Sequence, residues 1–239
     1  MSLDYAKHKS TLLQILKDIY TDPTIAPYLG FKGGTAAMLF YGLERNSVDL
    51  DFDLIDAEKA DMVFEKVRTI ITAYGEEKEA EVKKHTILFS VAPAQNAHQI
   101  KVEINTRKFN SHYEVVTLLG ISMQVMVKED MFAHKIMALY ERQGYASRDI
   151  FDVYTFFKNG WSYNSDIIKD RSGKSVAAVF AECIRCIEKL DEKKLLDGLG
   201  GLLSDEKRLW AKTKMKEDTL FFLRLALANE ESAGASVGS

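Results

Sequence analysis

The chain carries little from which to build a covalent or membrane scaffold. Its two cysteines, Cys183 and Cys186, are too few for a disulfide framework. They are spaced as CIRC within a strongly helical stretch, and a zinc site would need further ligands that no second Cys or Cys/His pair supplies. Two small residues on a helix is the simpler account, and the expected compartment is a reducing cytoplasm. No run of about 18 apolar residues occurs, so no membrane span is expected. The opening MSLDYAKHKSTLLQ interleaves charges and lacks the apolar stretch of a signal peptide. There is no excess of one charge either: 32 Lys and Arg stand against 35 Asp and Glu, a formal net charge of -3. That balance argues against coating nucleic acid by bulk charge and leaves room only for a local basic groove. The five histidines show no ligand spacing, and there is no internal repeat.

What remains is an ordinary globular composition, 46% hydrophobic and 28% charged, which excludes wholesale disorder. The 239 residues suit one domain or two small ones, and only three prolines leave room for long helices. Leu12, Ile15, Leu16 and Ile19 predict an amphipathic helix over 3–20. A short strand ends at Phe31 and Lys32, Gly33-Gly34-Thr35 follows, and a helix closes near Gly42. Strict alternation predicts a strand over 48–54, with Val48, Leu50, Phe52 and Leu54 on one face and Asp49, Asp51 and Asp53 on the other. A helix over 57–73 is followed by strands near 79–91, 98–105, 113–119 and 121–126, the last pair turning at Gly120. Beyond Lys128 everything reads as helix: 128–142, 147–158, a piece near 164–170, 174–190 and 205–229. The expectation is a mixed α/β half over 1–126, an all-helical half over 127–229, and a small, polar, disordered tail over 230–239.

Three carboxylates on one strand face repel one another and call for a counter-charge. Residues two apart on a strand lie roughly 6.5–7 Å apart at the backbone, within range of a metal pair about 3.5–4 Å apart. Alone, this DLDFD run could equally be an edge strand with a solvated face. Upstream, Gly33-Gly34-Thr35 stands where a strand hands over to a helix. Glycine admits a phosphate to the backbone, the helix N-terminus offers unpaired N–H groups, and the Thr35 hydroxyl adds a donor. On the strand HQIKVEIN, Lys101 and Glu103 share the polar face. Glu103 can join Asp49 and Asp51 if the strands are neighbours, with Lys101 placed to neutralise phosphate. Lys83-Lys84-His85 and Arg107-Lys108 could line an acceptor groove beside the sheet, or be merely solvated.

The stretch FKGGTAAMLFYGLERNSVDLDFDL resembles the opening motif of the polymerase-β-like minimal nucleotidyltransferases, and more closely that of the AbiEii/AbiGii toxin group. KVEI at 101–104 is similar to that group's third motif, and KEDMFAHKIMALYERQGYASRDIFDVYTF to its C-terminal motif. The resemblance covers about 30–158. It implies a polymerase-β-like core with a mixed sheet, followed by a helical half. It implies that Lys32, Gly33, Gly34, Thr35, Arg45 and Ser47 surround the nucleotide, with Asp49, Asp51 and Glu103 as metal ligands. Lys135, Arg148, Asp149 and Asp152 fall on the C-terminal motif. Glu103 stands where the wider superfamily more often has Asp, and Asp53 falls outside the family register.

The implied activity is magnesium-dependent transfer of a nucleotide from an NTP to an acceptor hydroxyl, with two Mg2+ ions, Mn2+ being an alternative. An RNA such as a tRNA end is the implied acceptor, and an antitoxin of an abortive-infection system the implied partner. Rival readings are a nucleotide-binding regulator that transfers nothing, a transferase acting on protein side chains, and a metal-dependent nuclease, which would leave the glycine cradle idle. On the helix from 128, Lys128, Lys135 and Arg142 form a basic stripe opposite Ala133, Ile136, Met137 and Tyr140. Ser147 is the expected N-cap of the next helix, on which Arg148 could pair with Asp152 or reach the triphosphate.

Overall fold

In a computed structural model, which describes residues 4–93, 98–142 and 147–237, the chain divides into two units. One comprises Met1–Gly42 and Asn46–Val127, the other Leu43–Arg45 and Lys128–Ser239. Of the segments interpreted above, the first three residues, the QGYA at 143–146 within the C-terminal motif and the last two residues of the tail lie outside the described residues.

In the first unit, helix α1 (Tyr5–Thr21) buries Leu12, Ile15, Leu16 and Ile19, as their spacing requires. Asp4 caps it by accepting from the Lys7 N–H at 3.1 Å. Strand β1 (Leu29–Lys32) runs into α2 (Gly33–Phe40), followed by β2 (Asp49–Leu54) and α3 (Ala60–Thr72). Strands β3 (Glu76–Lys83), β4 (Thr86–Ala92), β5 (Ile100–Asn105), β6 (Tyr113–Leu118) and β7 (Ile121–Met126) complete a seven-stranded sheet of order β3-β4-β5-β2-β1-β7-β6. The sheet is mixed: β2 pairs parallel with β5 and β1 with β7, while the other pairs are antiparallel. Leu50, Phe52, Phe31, Val102, Ile104 and Phe89 are all buried. They belong to the apolar sheet face, and α1, α2 and α3 pack against the sheet. The alternation expected of β2 therefore holds, and its acidic face is the one opposite α1, α2 and α3.

The strand expected at 79–91 is two strands folded as a hairpin at Lys84-His85. Neither Gly nor Pro marks that turn, and the largely charged β3 lies at the sheet edge, where alternation is not enforced. The β6–β7 turn does carry its glycine: Leu119 and Gly120 both have positive φ, 52° and 79°, as a two-residue turn with right-handed strand twist demands.

The second unit is helical: α4 (Lys128–Glu141), α5 (Ser147–Lys158), α6 (Ser165–Ser172), α7 (Val176–Glu188), α8 (Asp205–Thr213) and α9 (Met215–Val237). Its core is aromatic. Phe132 meets Phe156 and Phe157 edge-on, and Trp161 stacks on Phe156 with centroids 4.0 Å apart. Phe132 and Leu139 join the buried face of α4, whereas Tyr140 is only half-buried. The single helix expected at 205–229 breaks at Lys214, whose backbone lies at φ -132° and ψ -26°. The break lets Trp210 lie tilted against Tyr154, ring centroids 4.3 Å apart, while α9 packs on α7 and α5. Nor does α9 stop at 229: it is helical through Val237 despite Gly234, with Glu230 accepting from the Tyr163 hydroxyl at 2.7 Å. Cys183 and Cys186 are free thiols on α7, and burial pushes Cys183 up to about 12. Among the described residues no helix is long and apolar enough to cross a membrane.

Tyr20 joins α1 to two strands of the sheet, its hydroxyl lying 2.9 Å from the Leu29 carbonyl and 3.0 Å from that of Gln124. Tyr20→Phe leaves both buried acceptors without this donor and is expected to destabilise the protein by about 1–2 kcal/mol, read by urea denaturation.

Candidate active site

Strand β2 carries a row of carboxylates, and its register decides what stands beside each. Across the parallel β2–β5 pair Asp49 faces Lys101, Asp51 faces Glu103 and Asp53 faces Asn105. Across the antiparallel β1–β2 pair Lys32 faces Asp51. Paired residues share a sheet face, so Asp49, Asp51, Glu103, Lys101 and Lys32 are assembled on one polar face as the alternation predicted. Lys101 and Glu103 are exposed; Asp49 and Asp51 are half-buried.

The glycine turn abuts this row. Gly33 opens α2 with φ +77°, a left-handed conformation that disfavours a side chain. A Cβ placed there would lie 2.2 Å from Asp51 Oδ2. Glycine is therefore required twice, by backbone conformation and by the approach of the Asp51 carboxylate to the N-terminus of α2. Gly34 is buried behind it. Thr35 departs from expectation: it is 1% exposed, and its hydroxyl donates to the Asp49 carbonyl at 2.5 Å. Here the hydroxyl clamps α2 to β2, where a phosphate donor was expected. His8 on α1 holds the residue just before β2, its Nε2 lying 2.8 Å from the Val48 carbonyl. Ser47 is half-buried in the preceding loop.

Asp53, outside the family register, has the most elaborate surroundings. It is 5% exposed and ion-pairs with Lys32. Its Oδ1 accepts from Asn105 Nδ2 at 2.7 Å and its Oδ2 from the Tyr113 hydroxyl at 2.7 Å. Lys32, expected at the nucleotide, is here the counter-charge of Asp53. The alternation of β5 could have pointed to Asn105, two residues beyond Glu103. Tyr113 gave no sequence signal: its ring occupies the space that Gly30 leaves by lacking a Cβ.

The carboxylate row can be asked whether it fits a divalent cation. Among the described residues no three His, Cys, Asp or Glu side chains stand close enough to hold a metal by protein atoms alone, so the expected three-carboxylate cage is not preformed. Magnesium does not require one. It is usually held by one or two carboxylates together with substrate phosphates and water. Hard oxygen donors on an open face beside a helix N-terminus fit that pattern.

The helical unit carries charged residues of its own. Arg45, 5% exposed, forms a two-pronged pair with Asp152, Nε to Oδ1 at 2.6 Å and Nη2 to Oδ2 at 2.8 Å. Lys135 adds Asp152 Oδ2 at 2.9 Å and Asp149 Oδ1 at 3.1 Å. Arg142 Nη1 lies 2.9 Å from Asp149 Oδ2, an atom that completes no hydrogen bond among the described residues. Burial alone would raise the Asp152 carboxyl, but the Arg45 and Lys135 charges outweigh it and hold it below the usual range. For Lys135 burial works downward, and Asp152 and Asp149 overcome it to leave the ammonium above its ordinary value.

This arrangement corrects three expectations. Arg45, expected at the nucleotide, is buried with both prongs committed to Asp152 and groups with the helical unit. Arg148 does not pair with Asp152; it is half-buried on the same helix, and among the described residues it makes no ion pair. Ser147 lies within α5 and its hydroxyl donates to the Lys194 carbonyl at 3.0 Å instead of capping the helix.

The model of the family described as nucleotidyl transferase AbiEii toxin, type IV TA system, matches residues 14–224. The chain belongs to the AbiEii family. It is therefore a nucleotidyltransferase of a toxin–antitoxin family. The match reaches well beyond the motifs at 30–158 and takes in both units. The crystal structure of JHP933 from Helicobacter pylori is similar over 100% of this chain and 98% of that one, with a TM-score of 0.64 at 22% identity. A second H. pylori protein, described as a candidate nucleotidyltransferase, covers 98% and 99% with a TM-score of 0.61 at 20% identity. At such identities they establish the fold of this AbiEii protein and no more. No curated protein matches the chain.

Two outcomes follow from the geometry. Gly33→Ala is expected to cost about 1–2 kcal/mol through its left-handed φ and to displace the Asp51 carboxylate, visible as a changed Asp51 side-chain signal by NMR. Asp152→Ala strands the Arg45 charge and is expected to destabilise the protein by about 3–5 kcal/mol in urea denaturation. Because the folded Asp152 carboxyl is depressed, its contribution is present above the unfolded value of about 3.9 and is lost as pH falls through the lowered folded value. The wild type should thus lose stability in acid below about pH 4 more steeply than Asp152→Ala.

Proposed function

We propose that this chain transfers a nucleoside monophosphate from an NTP to the 3′ hydroxyl of an RNA, and that Asp49, Asp51 and Glu103 are its catalytic carboxylates. The observation that carries this reading is the pairing of Asp51 with Glu103, one step from Asp49, on an open face against which Gly33 brings the N-terminus of α2. In the reaction the acceptor oxygen attacks the α-phosphorus, a new P–O bond forms, and the bond to the bridging oxygen of pyrophosphate breaks. The acceptor proton passes to the carboxylate face, and pyrophosphate leaves. The backbone N–H groups at Gly33 and Gly34 hold the phosphates through the helix dipole, and Lys101, exposed on the same face, offsets their charge. Lys135, Arg148 and Asp149 are assigned to the reaction by their place in the family's C-terminal motif.

Asp49 and Asp51 would hold magnesium, with Glu103 as the third carboxylate. When bound, the ions supply neutralisation of the triphosphate and polarisation of the acceptor oxygen. The family also implies an antitoxin as regulatory partner, and the two unpaired cysteines favour a reducing cytoplasm as the place of action.

Incubation with labelled NTPs, magnesium and total RNA or total protein tests the assignment. Label should enter RNA, and Asp51→Asn should lower transfer by roughly 100-fold or more, several kcal/mol of lost charge stabilisation. Label entering protein would assign the acceptor to side chains. NTP binding with nothing ever labelled would make the chain a regulator.

A further inference from the structure

Two basic segments far apart in sequence meet at one end of the sheet. The Thr106 N–H donates to the His85 carbonyl at 3.0 Å, which sets Lys84-His85 in the β3–β4 turn beside Arg107-Lys108 after β5. Lys84, Arg107 and Lys108 are all exposed. Next to them opens a pocket of about 190 Å³ whose walls include Asp53, Arg107, Lys108, Phe109, Asn110 and Tyr113. The Arg107 guanidinium lies 5.5 Å from the centroid of the Phe109 ring, and its Nε donates to Asn105 Oδ1 at 3.3 Å. Asn110 holds a left-handed φ of 50°. The pocket shares Asp53 with the carboxylate face, and Asp53 lies two residues, roughly 6.5–7 Å of strand, beyond Asp51.

Size and lining narrow the occupant. Clefts that enclose a whole small ligand run to about 300–1,000 Å³; this one is smaller and would take only part of a larger molecule. Two cations suit phosphates, and a ring with a guanidinium beside it suits a base. That pairing of charge and stacking is how single-stranded nucleic acid is held. An acidic peptide would satisfy the cations but give the rings nothing to stack on.

We propose that this pocket is an RNA subsite, which receives one unpaired nucleotide of the acceptor strand close to its 3′ end. The base lies against Phe109, the flanking phosphates meet Arg107 and Lys108, and Lys84 continues the track along the sheet end. The role as acceptor site rests on the transferase reading, whereas RNA binding is measured without any NTP.

The test is fluorescence anisotropy of a labelled, short single-stranded RNA of mixed sequence with a free 3′ hydroxyl, titrated with the full chain across a range of salt. Arg107→Gln with Lys108→Gln should weaken binding about tenfold or more and flatten the plot of log K against log salt by about 0.7 for each phosphate no longer neutralised. Phe109→Ala should weaken it by roughly tenfold with the salt slope unchanged. Lys108, exposed and without an ion pair among the described residues, also provides the single variant Lys108→Gln, whose melting temperature should equal that of the wild type and whose slope should still drop. Unchanged affinity and slope in every variant would overturn the proposal, as would displacement of the RNA by oligoglutamate as readily as by unlabelled RNA. The transferase reading is judged separately. If the wild type labels RNA and the variants do so with the same KM, the subsite fails and transfer stands. If the wild type labels nothing while the binding losses hold, transfer fails and the RNA site stands.

Discussion

Asp51 and Glu103 lie side by side on adjacent parallel strands, and two like charges in that position repel. Everything around β2 accommodates that repulsion. Within the first unit α1, α2 and α3 pack on the opposite, apolar face. Lys101 stands beside Asp49 and Lys32 beside Asp51. Asp53, the one carboxylate of the row that is buried, is also the one surrounded by three donors.

The helical unit handles charge in the contrary way. Arg45, Lys135, Asp149 and Asp152 are withdrawn from solvent and pair among themselves. A buried network of this kind contributes little net stability over an apolar substitute, but removing any one member leaves a charge stranded. It fixes geometry: residues 43–45, which interrupt the first unit in sequence, are held to the second by Arg45.

Much of this was legible beforehand, and the reason is periodicity. A period of two over Val48–Leu54 and a period near 3.6 over Leu12–Ile19 leave little freedom about which face is buried. Where periodicity was absent, expectation failed: the charged β3 was merged with β4, and the helix break at Lys214 went unseen because the sequence around it remains helix-forming. Spacing also identified the carboxylates and the glycines correctly as neighbours. It could not tell which polar groups would be consumed in holding the frame, as happened to the Thr35 hydroxyl and to the Arg45 guanidinium.

The amino-acid sequence by itself determined the family, the acidic strand face and the glycine turn that precedes it, since these depend on residue type and local backbone preference. Only the tertiary structure decided that Asp51 stands against Glu103, that Asp53 is held by Lys32, Asn105 and Tyr113, and that Arg107-Lys108 adjoins Lys84-His85. Those are pairings across strands. They depend on a register that long-range packing selects, and no local pattern records it.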